Sequence, residues 1–360
     1  MNGALNRMYV GIVRVGVGHG CDASAPGRWT ADEQRRKPAM ADRAERVACN
    51  RVRGVAADRR RRSRMGDLPL AVAMLAPSAI ILGVFVLYPL GRAVWLGQQR
   101  CDNFGNNCVS QGFNQYLDLF RSNEFQNALG VTIRFALITV PAGVILGVGL
   151  AVLADKYLRG IGVFRGIFSS TVATSVAVAS LMWLFLLQPS VGALANIGWF
   201  NSLFPSVKSP GWLQDPDTAL WAVSASSVWA NLGFTFILVT AGLQSIPRDL
   251  HEAAAVDGAG GIRRFWSITV PMLGPTLLFV VIVSSTRAFQ AYGEIDLLTG
   301  GGPQPTNPTT TIPYFIYGQN SPIRNDTGLQ AGAAVLLFLL LLALSGLQLA
   351  GIGRRVHYGD

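Results

Sequence analysis

His251-Glu252 opens like the HExxH metal motif, but residue 255 is alanine. A zinc-protease helix needs a second imidazole one turn on. The chain has three histidines (His19, His251, His357) and four cysteines (Cys21, Cys49, Cys101, Cys108), with no CxxC, which excludes a zinc site of standard spacing. Lys208-Ser209 ends like a P-loop, yet Val207 stands where GxxxxGK[ST] requires glycine, and the only other lysines are Lys37 and Lys156. No GxSxG surrounds a nucleophile. We therefore expect no catalytic residues, no metal site and no nucleotide site of this type.

The remaining chemistry lies in charges placed among apolar residues. Arg134 sits about two helical turns into one apolar stretch, and Arg287 about one turn inside the end of another. An unpaired arginine at a helix centre costs about 2.5–3.5 kcal/mol on insertion scales. Two readings stand: an anionic solute such as a phosphate ester is the counter-ion, or the side chains snorkel to lipid phosphate and water. Ser226, Ser227, Asn231 and Thr235, with the aromatics Trp229 and Phe289, either line a path or pack helices together. The five apolar stretches from residue 127 onward contain no Asp or Glu, which argues against a self-sufficient ion-coupled carrier.

The elements that hold these residues are set by composition. Half of the 360 residues are hydrophobic and only 14% are charged, against about 25% in a soluble domain. This is the composition of a chain that crosses a lipid bilayer several times. Six apolar stretches, near 69–96, 127–153, 163–187, 218–243, 267–289 and 328–352, are each long enough to cross about 30 Å of hydrocarbon. Pro77, Pro89, Pro141, Pro271 and Pro275 interrupt several of them. Neighbouring helices can satisfy the freed carbonyls.

Charge orients the spans. Residues 1–67 hold 15 Lys and Arg against 7 Asp and Glu, and the rest of the chain holds 15 against 13. A cytoplasmic basic segment explains this excess without nucleic acid. The connections 154–162 and 244–266 and the tail after 352 carry Lys156, Arg159, Arg248, Arg263, Arg264, Arg354 and Arg355. The alternate connections carry Arg100, Arg121, Lys208 and Arg324. Both termini are thus expected in the cytoplasm. Segment 1–67 contains the run Arg59–Arg62 and no secretory signal. It reads either as a disordered extension or as an overlong reading frame whose working start lies near Met65. Cys101 and Cys108 fall in the first outer loop, where they form either a disulfide or two free thiols.

The segment 241–275, AGLQSIPRDLHEAAAVDGAGGIRRFWSITVPMLGP, is the most informative. It reads as helix–turn–helix. Ser245 is expected to N-cap and Pro247 to open the first helix, which runs through Glu252, Ala253, Ala254 and Ala255. Asp257-Gly258 stops it, and a second short run begins at Ile262. Small alanines and a fixed turn suit either a knob at a subunit interface or a loop packed on its own bundle.

This segment resembles the EAA loop of binding-protein-dependent ABC importer permeases. The spacing is met by Glu252-Ala253-Ala254, Asp257-Gly258-Ala259, Ile268, Pro271 and Pro275, preceded by Leu243-Gln244-Ser245-Ile246-Pro247. Val270 replaces the leucine that commonly precedes the proline, a mild apolar exchange. Leu297-Leu298-Thr299-Gly300-Gly301-Gly302-Pro303 resembles the TGGGP element of the carbohydrate-type permeases. The glycine and proline content by itself indicates only a tight turn. The resemblance covers residues 68–360, which form the permease domain.

The resemblance implies an all-α membrane protein with six transmembrane helices of the type I ABC importer permease (MetI-like) fold, in a bacterial inner membrane. It implies a second homologous permease, two ATP-binding-cassette ATPases that bind ATP and Mg, and an extracytoplasmic solute-binding protein. Glu252, Ala253, Ala254, Asp257, Gly258 and Ala259 would form the ATPase-coupling surface. The tail Arg354-Arg355-Val356-His357-Tyr358 resembles the ends of glycerol-3-phosphate-type permeases. With Arg134 and Arg287 it favours a glycerophosphate or glycerophosphodiester over a neutral di- or oligosaccharide. A standalone carrier or channel is the rival class.

Overall fold

The computed structural model describes residues 72–101, 108–155, 160–190, 192, 211–303 and 306–351. Segment 1–67, Lys156, Arg159, Lys208 and the tail with Arg354, Arg355, His357 and Tyr358 lie outside them. The chain divides into two units, Met1–Ile81 and Leu82–Asp360. The boundary falls within the first helix, α1 (Val72–Leu96).

Four helices among the described residues are long and apolar enough to cross a membrane: α1, α3 (Asn123–Ala154), α6 (Ala219–Gln244) and α12 (Thr327–Gly351). Two further stretches, read in the sequence as single crossings, are bent pairs. α4 (Ile161–Ala173) meets α5 (Val176–Leu187) at 107°, and α8 (Gly261–Met272) meets α9 (Gly274–Phe289) at 70°. The first break has no proline. Ser175 is extended there and accepts a hydrogen bond from the Val178 N–H at 3.3 Å, so a serine cap starts a new helix. The second break lies between Pro271 and Pro275, neither of which can donate to a preceding carbonyl.

Proline leaves a second mark. Gly83–Leu87 and Phe265–Thr269 are π-helical, and each is followed by one residue and then a proline. Tyr88 N–H reaches back to the Gly83 carbonyl and Val270 N–H to the Phe265 carbonyl, the widened turn that accommodates Pro89 and Pro271. Pro141, by contrast, lies inside an unbroken α3.

α3 and α6 share the most extensive contact in the second unit. Small residues bring their backbones together: a Cβ on Gly147 would lie 2.4 Å from the Thr235 methyl. Gly233, also on α6, faces the end of α4, where a Cβ would lie 2.2 Å from Thr171 Oγ1. Phe236, Val239, Leu273 and Ala151 fill the core beside this seam. Arg165 on α4 donates from Nε and Nη2 to the Ala154 carbonyl, at 3.1 and 2.8 Å, placing a cation at the C-terminus of α3.

At the opposite end of α3, a hairpin of β1 (Gln99–Cys101) and β2 (Cys108–Ser110) pairs antiparallel, with Cys101 opposite Cys108. A disulfide joins them. Asp326 Oδ1 accepts from the N–H groups of Cys101, Gly328 and Leu329, so one carboxylate caps α12 and fastens the hairpin to it. α2 (Asn114–Arg121) closes this end, with the Tyr116 hydroxyl donating to the Val94 carbonyl at 2.9 Å.

Candidate functional site

Two places carry the chemistry. The first is the loop after α6. Helix α7 spans Arg248–Val256, and its N-cap is Pro247. The expected Ser245 cap is not formed: its hydroxyl donates to the Gly242 carbonyl at 2.7 Å and finishes α6 instead. At the other end Gly258 has φ +75°. Its N–H bonds the Ala255 carbonyl at 3.1 Å, and the Ala259 N–H bonds the Ala254 carbonyl at 2.9 Å. These are the two hydrogen bonds of a Schellman stop, which needs a left-handed residue at this position.

Glu252, Ala253, Asp257 and Gly258 are exposed, and Ala254 and Ala259 are half-buried. The apolar side chains on either side of the turn are exposed too, Val256 at 89% and Ile262 at 81%. The Arg264 guanidinium donates to the His251 carbonyl at 3.5 Å, tying α8 back to α7. The result is a short, fixed knob with an apolar tip and charged flanks.

The second place is a cavity of about 500 Å³ between α5, α6, α9 and the short helix α10 (Gly293–Leu298). Ser226, Ser227, Asn231, Phe234, Arg287 and Glu294 are among its lining residues. Arg287 Nη1 donates to Asn231 Oδ1 at 3.0 Å, and the guanidinium lies over the Phe234 ring, 4.2 Å from its centroid. Asn231 is itself fixed by its amide, which donates to the Ser227 carbonyl at 2.9 Å. Ser227 Oγ donates to Glu294 Oε1 at 3.2 Å. Removal from water pushes the Glu294 carboxyl above its ordinary range, and the Ser227 hydrogen bond acts the other way.

The residues singled out for the path are dispersed. Arg287 and Asn231 meet in this cavity. Arg134 opens into a different one of about 850 Å³, beside Asp217 and Trp221. Phe289, 7% exposed, belongs to the core with Phe135, Val223 and Tyr314 and does not line the cavity, because α9 turns that face inward. Trp229 packs edge-on against Trp183, with centroids 6.5 Å apart, and is likewise not part of the lining. Glu294 is not among the residues the sequence points to, because it lies beyond the apolar stretch that ends at residue 289. It lies seven residues beyond Arg287, after the break at Gln290–Tyr292, and lines the same cavity.

The TGGGP segment follows α10. Gly300, Gly301 and Gly302 have φ of +57°, +91° and +98°. Tyr314, on α11 (Ile312–Tyr317), donates its hydroxyl to the Gly300 carbonyl at 2.6 Å, and Thr310 Oγ1 donates to the Gly301 carbonyl at 2.9 Å. The turn is therefore pinned on both sides.

Broken apolar helices, an exposed knob after α6 and an internal polar cavity define a helical membrane permease. The chain belongs to the family of binding-protein-dependent transport system inner membrane components, whose model matches residues 140–357. It is 33% identical over 293 residues to the sn-glycerol-3-phosphate transport system permease protein UgpA of Agrobacterium fabrum, covering 81% of this chain and 97% of that protein. It is 32% identical to the protein of the same name from Yersinia pestis, over 80% and 96% of the two chains. Among solved structures it is similar to a bacterial ABC transporter involved in the import of the acidic polysaccharide alginate, with TM-score 0.64, 22% identity and coverage of 81% and 98%. The fold is that of the MetI-like ABC importer permeases, and the chain is an ABC importer permease of the inner membrane.

Proposed function

We propose that this chain is the membrane-spanning subunit of an importer for a glycerophosphate-type solute, sn-glycerol-3-phosphate or a glycerophosphodiester such as glycerophosphocholine. One observation carries the reading: Arg287 is held into a cavity by Asn231 and Phe234, with no carboxylate paired to it among the described residues. A guanidinium has five N–H donors in a planar fork that matches phosphate oxygens in bidentate fashion. The relatives named for sn-glycerol-3-phosphate transport support the same choice.

In this reading the chain crosses the membrane six times, each bent pair counting as one span, with both ends in the cytoplasm. An extracytoplasmic binding protein delivers the solute to the hairpin and TGGGP side. A second, homologous permease completes the path. Two ATPase subunits bind ATP and Mg and press on the α7 knob through Glu252, Ala253, Ala254, Asp257, Gly258 and Ala259. Because α7 is closed by its own Schellman stop, it moves as a rigid body and passes displacement into α8 and α9 rather than absorbing it. This chain supplies the gate and no ATPase site.

Co-expression with the partner subunits in cells lacking other glycerophosphate uptake tests the reading. Uptake of sn-glycerol-3-phosphate or glycerophosphocholine is expected, with R287Q lowering it at least tenfold. Uptake of a disaccharide with no response to either phosphate compound would assign the chain to neutral sugars instead.

A further inference from the structure

Arg287 and Glu294 line one cavity, carry opposite charges and do not pair with each other. That arrangement is costly unless something else uses both. The Glu294 carboxylate has about four lone-pair sites, and its side-chain partner among the described residues is Ser227 alone, with its own backbone N–H as the other contact. Arg287 spends one donor on Asn231 and has others left. A solute that satisfies both groups must present acceptors in one place and donors in another.

We infer that Glu294 is a specificity-determining residue that accepts hydrogen bonds from the hydroxyl groups of the solute whose anionic group is held by Arg287. This rests on the cavity being the solute site and goes beyond it by assigning the uncharged end. The chemical class is an anionic polyol: a phosphate or comparable anion joined through a short carbon chain to free hydroxyls. Ser227 positions the carboxylate by donating to Oε1, and the carboxylate keeps further acceptor sites for the solute. A carboxylate is acceptor-only when ionised, so it favours hydroxyl donors and repels a second anionic group in the same place. An unsubstituted alkyl phosphate would bind Arg287 equally well but leave the remaining acceptor sites of Glu294 desolvated and unfilled, the asymmetry by which polar sites reject analogues lacking a hydroxyl.

The test uses the complete transporter with its partner subunits and two solutes of equal charge, sn-glycerol-3-phosphate and n-propyl phosphate. Each variant is normalised to the amount of assembled complex. E294Q is expected to lower uptake of glycerol phosphate about tenfold more than uptake of propyl phosphate, mainly through KM. E294D, which keeps the charge but withdraws it by one methylene, is expected to show the same bias to a smaller degree and serves if E294Q does not assemble. R287Q should lower both solutes alike. Equal losses on both solutes in the Glu294 variants, with R287Q still impaired, would overturn the assignment of Glu294 alone. Full uptake of both solutes by R287Q would overturn the cavity as the solute site.

Discussion

Arg287 on α9 donates to Asn231 on α6 across 3.0 Å, so a neutral amide, not a carboxylate, holds the arginine that lines the cavity between these helices. The choice of partner matters. A carboxylate would neutralise the guanidinium, whereas an amide orients it and leaves its charge for a solute.

Replacing Asn231 should therefore impair transport without changing charge. Asn231→Ala removes a hydrogen bond to an ionised group, an interaction of about 1.5–3 kcal/mol. Solute uptake at subsaturating concentration is expected to fall by about tenfold or more, with the complex still assembled. Unaltered uptake would mean that the orientation of Arg287 is irrelevant.

Gly258 is open on all sides: a Cβ there would meet nothing within 4 Å, while φ is +75°. Substitution therefore acts through the backbone alone. Gly258→Val is expected to strain the Schellman stop by about 1 kcal/mol or more, and Gly258→Asn to be milder, because asparagine tolerates the left-handed region. In the reconstituted complex, solute-stimulated uptake should fall in the order valine, then asparagine, while ATP hydrolysis persists. Equal, undiminished uptake in both would remove α7 from the coupling.

Glu294 also makes a pH-dependent contribution to stability. Its folded-state carboxyl titrates above the ordinary value of about 4.3, so the folded state binds more protons than the unfolded one across that window. Stability from this group is full below the ordinary value and is lost as pH rises through the raised one. Glu294→Gln should accordingly melt higher than the parent at about pH 8, with the difference shrinking towards about pH 4. Arg287 and Tyr292 line the same cavity and are unchanged in both proteins. A gap that grows on acidification would reverse the sign and contradict the desolvation account.

The disulfide between Cys101 and Cys108 reports topology. Closing so short a loop stabilises the hairpin by about 2–3 kcal/mol in the chain-entropy account. After mild reduction of intact cells, a membrane-impermeant maleimide should label Cys108, the exposed member of the pair, while Cys101 is buried. Labelling only after the membrane is opened would invert the orientation proposed above.

Most of the architecture was legible in the sequence because it rests on hydropathy and spacing. The long apolar runs at 127–153 and 218–243 became α3 and α6 within a few residues. The turn at Gly258 was legible because only a few residue types accept positive φ, and so was the glycine turn at 300–302. The break at Thr174–Ser175 was not legible. It depends on one serine side chain choosing a cap over helix continuation, and no proline or glycine signals it. Which face Phe289 and Trp229 present depends on helix rotation, which the sequence does not give: Phe289 packs in the core and half-buried Trp229 against Trp183. Glu294 has no local signal, because it shares a cavity with Arg287 only through the break between α9 and α10, a long-range fact without a sequence pattern.

The central claim is that this chain is a gate driven by work from outside itself. The direct measurement is reconstitution of the purified chain alone into liposomes supplied with ATP and glycerol phosphate, beside liposomes holding the same chain with its permease partner, ATPases and binding protein. The account requires no nucleotide hydrolysis and no solute accumulation in the first set, and both in the second. Accumulation against a gradient, or ATP hydrolysis, by the chain alone would contradict it.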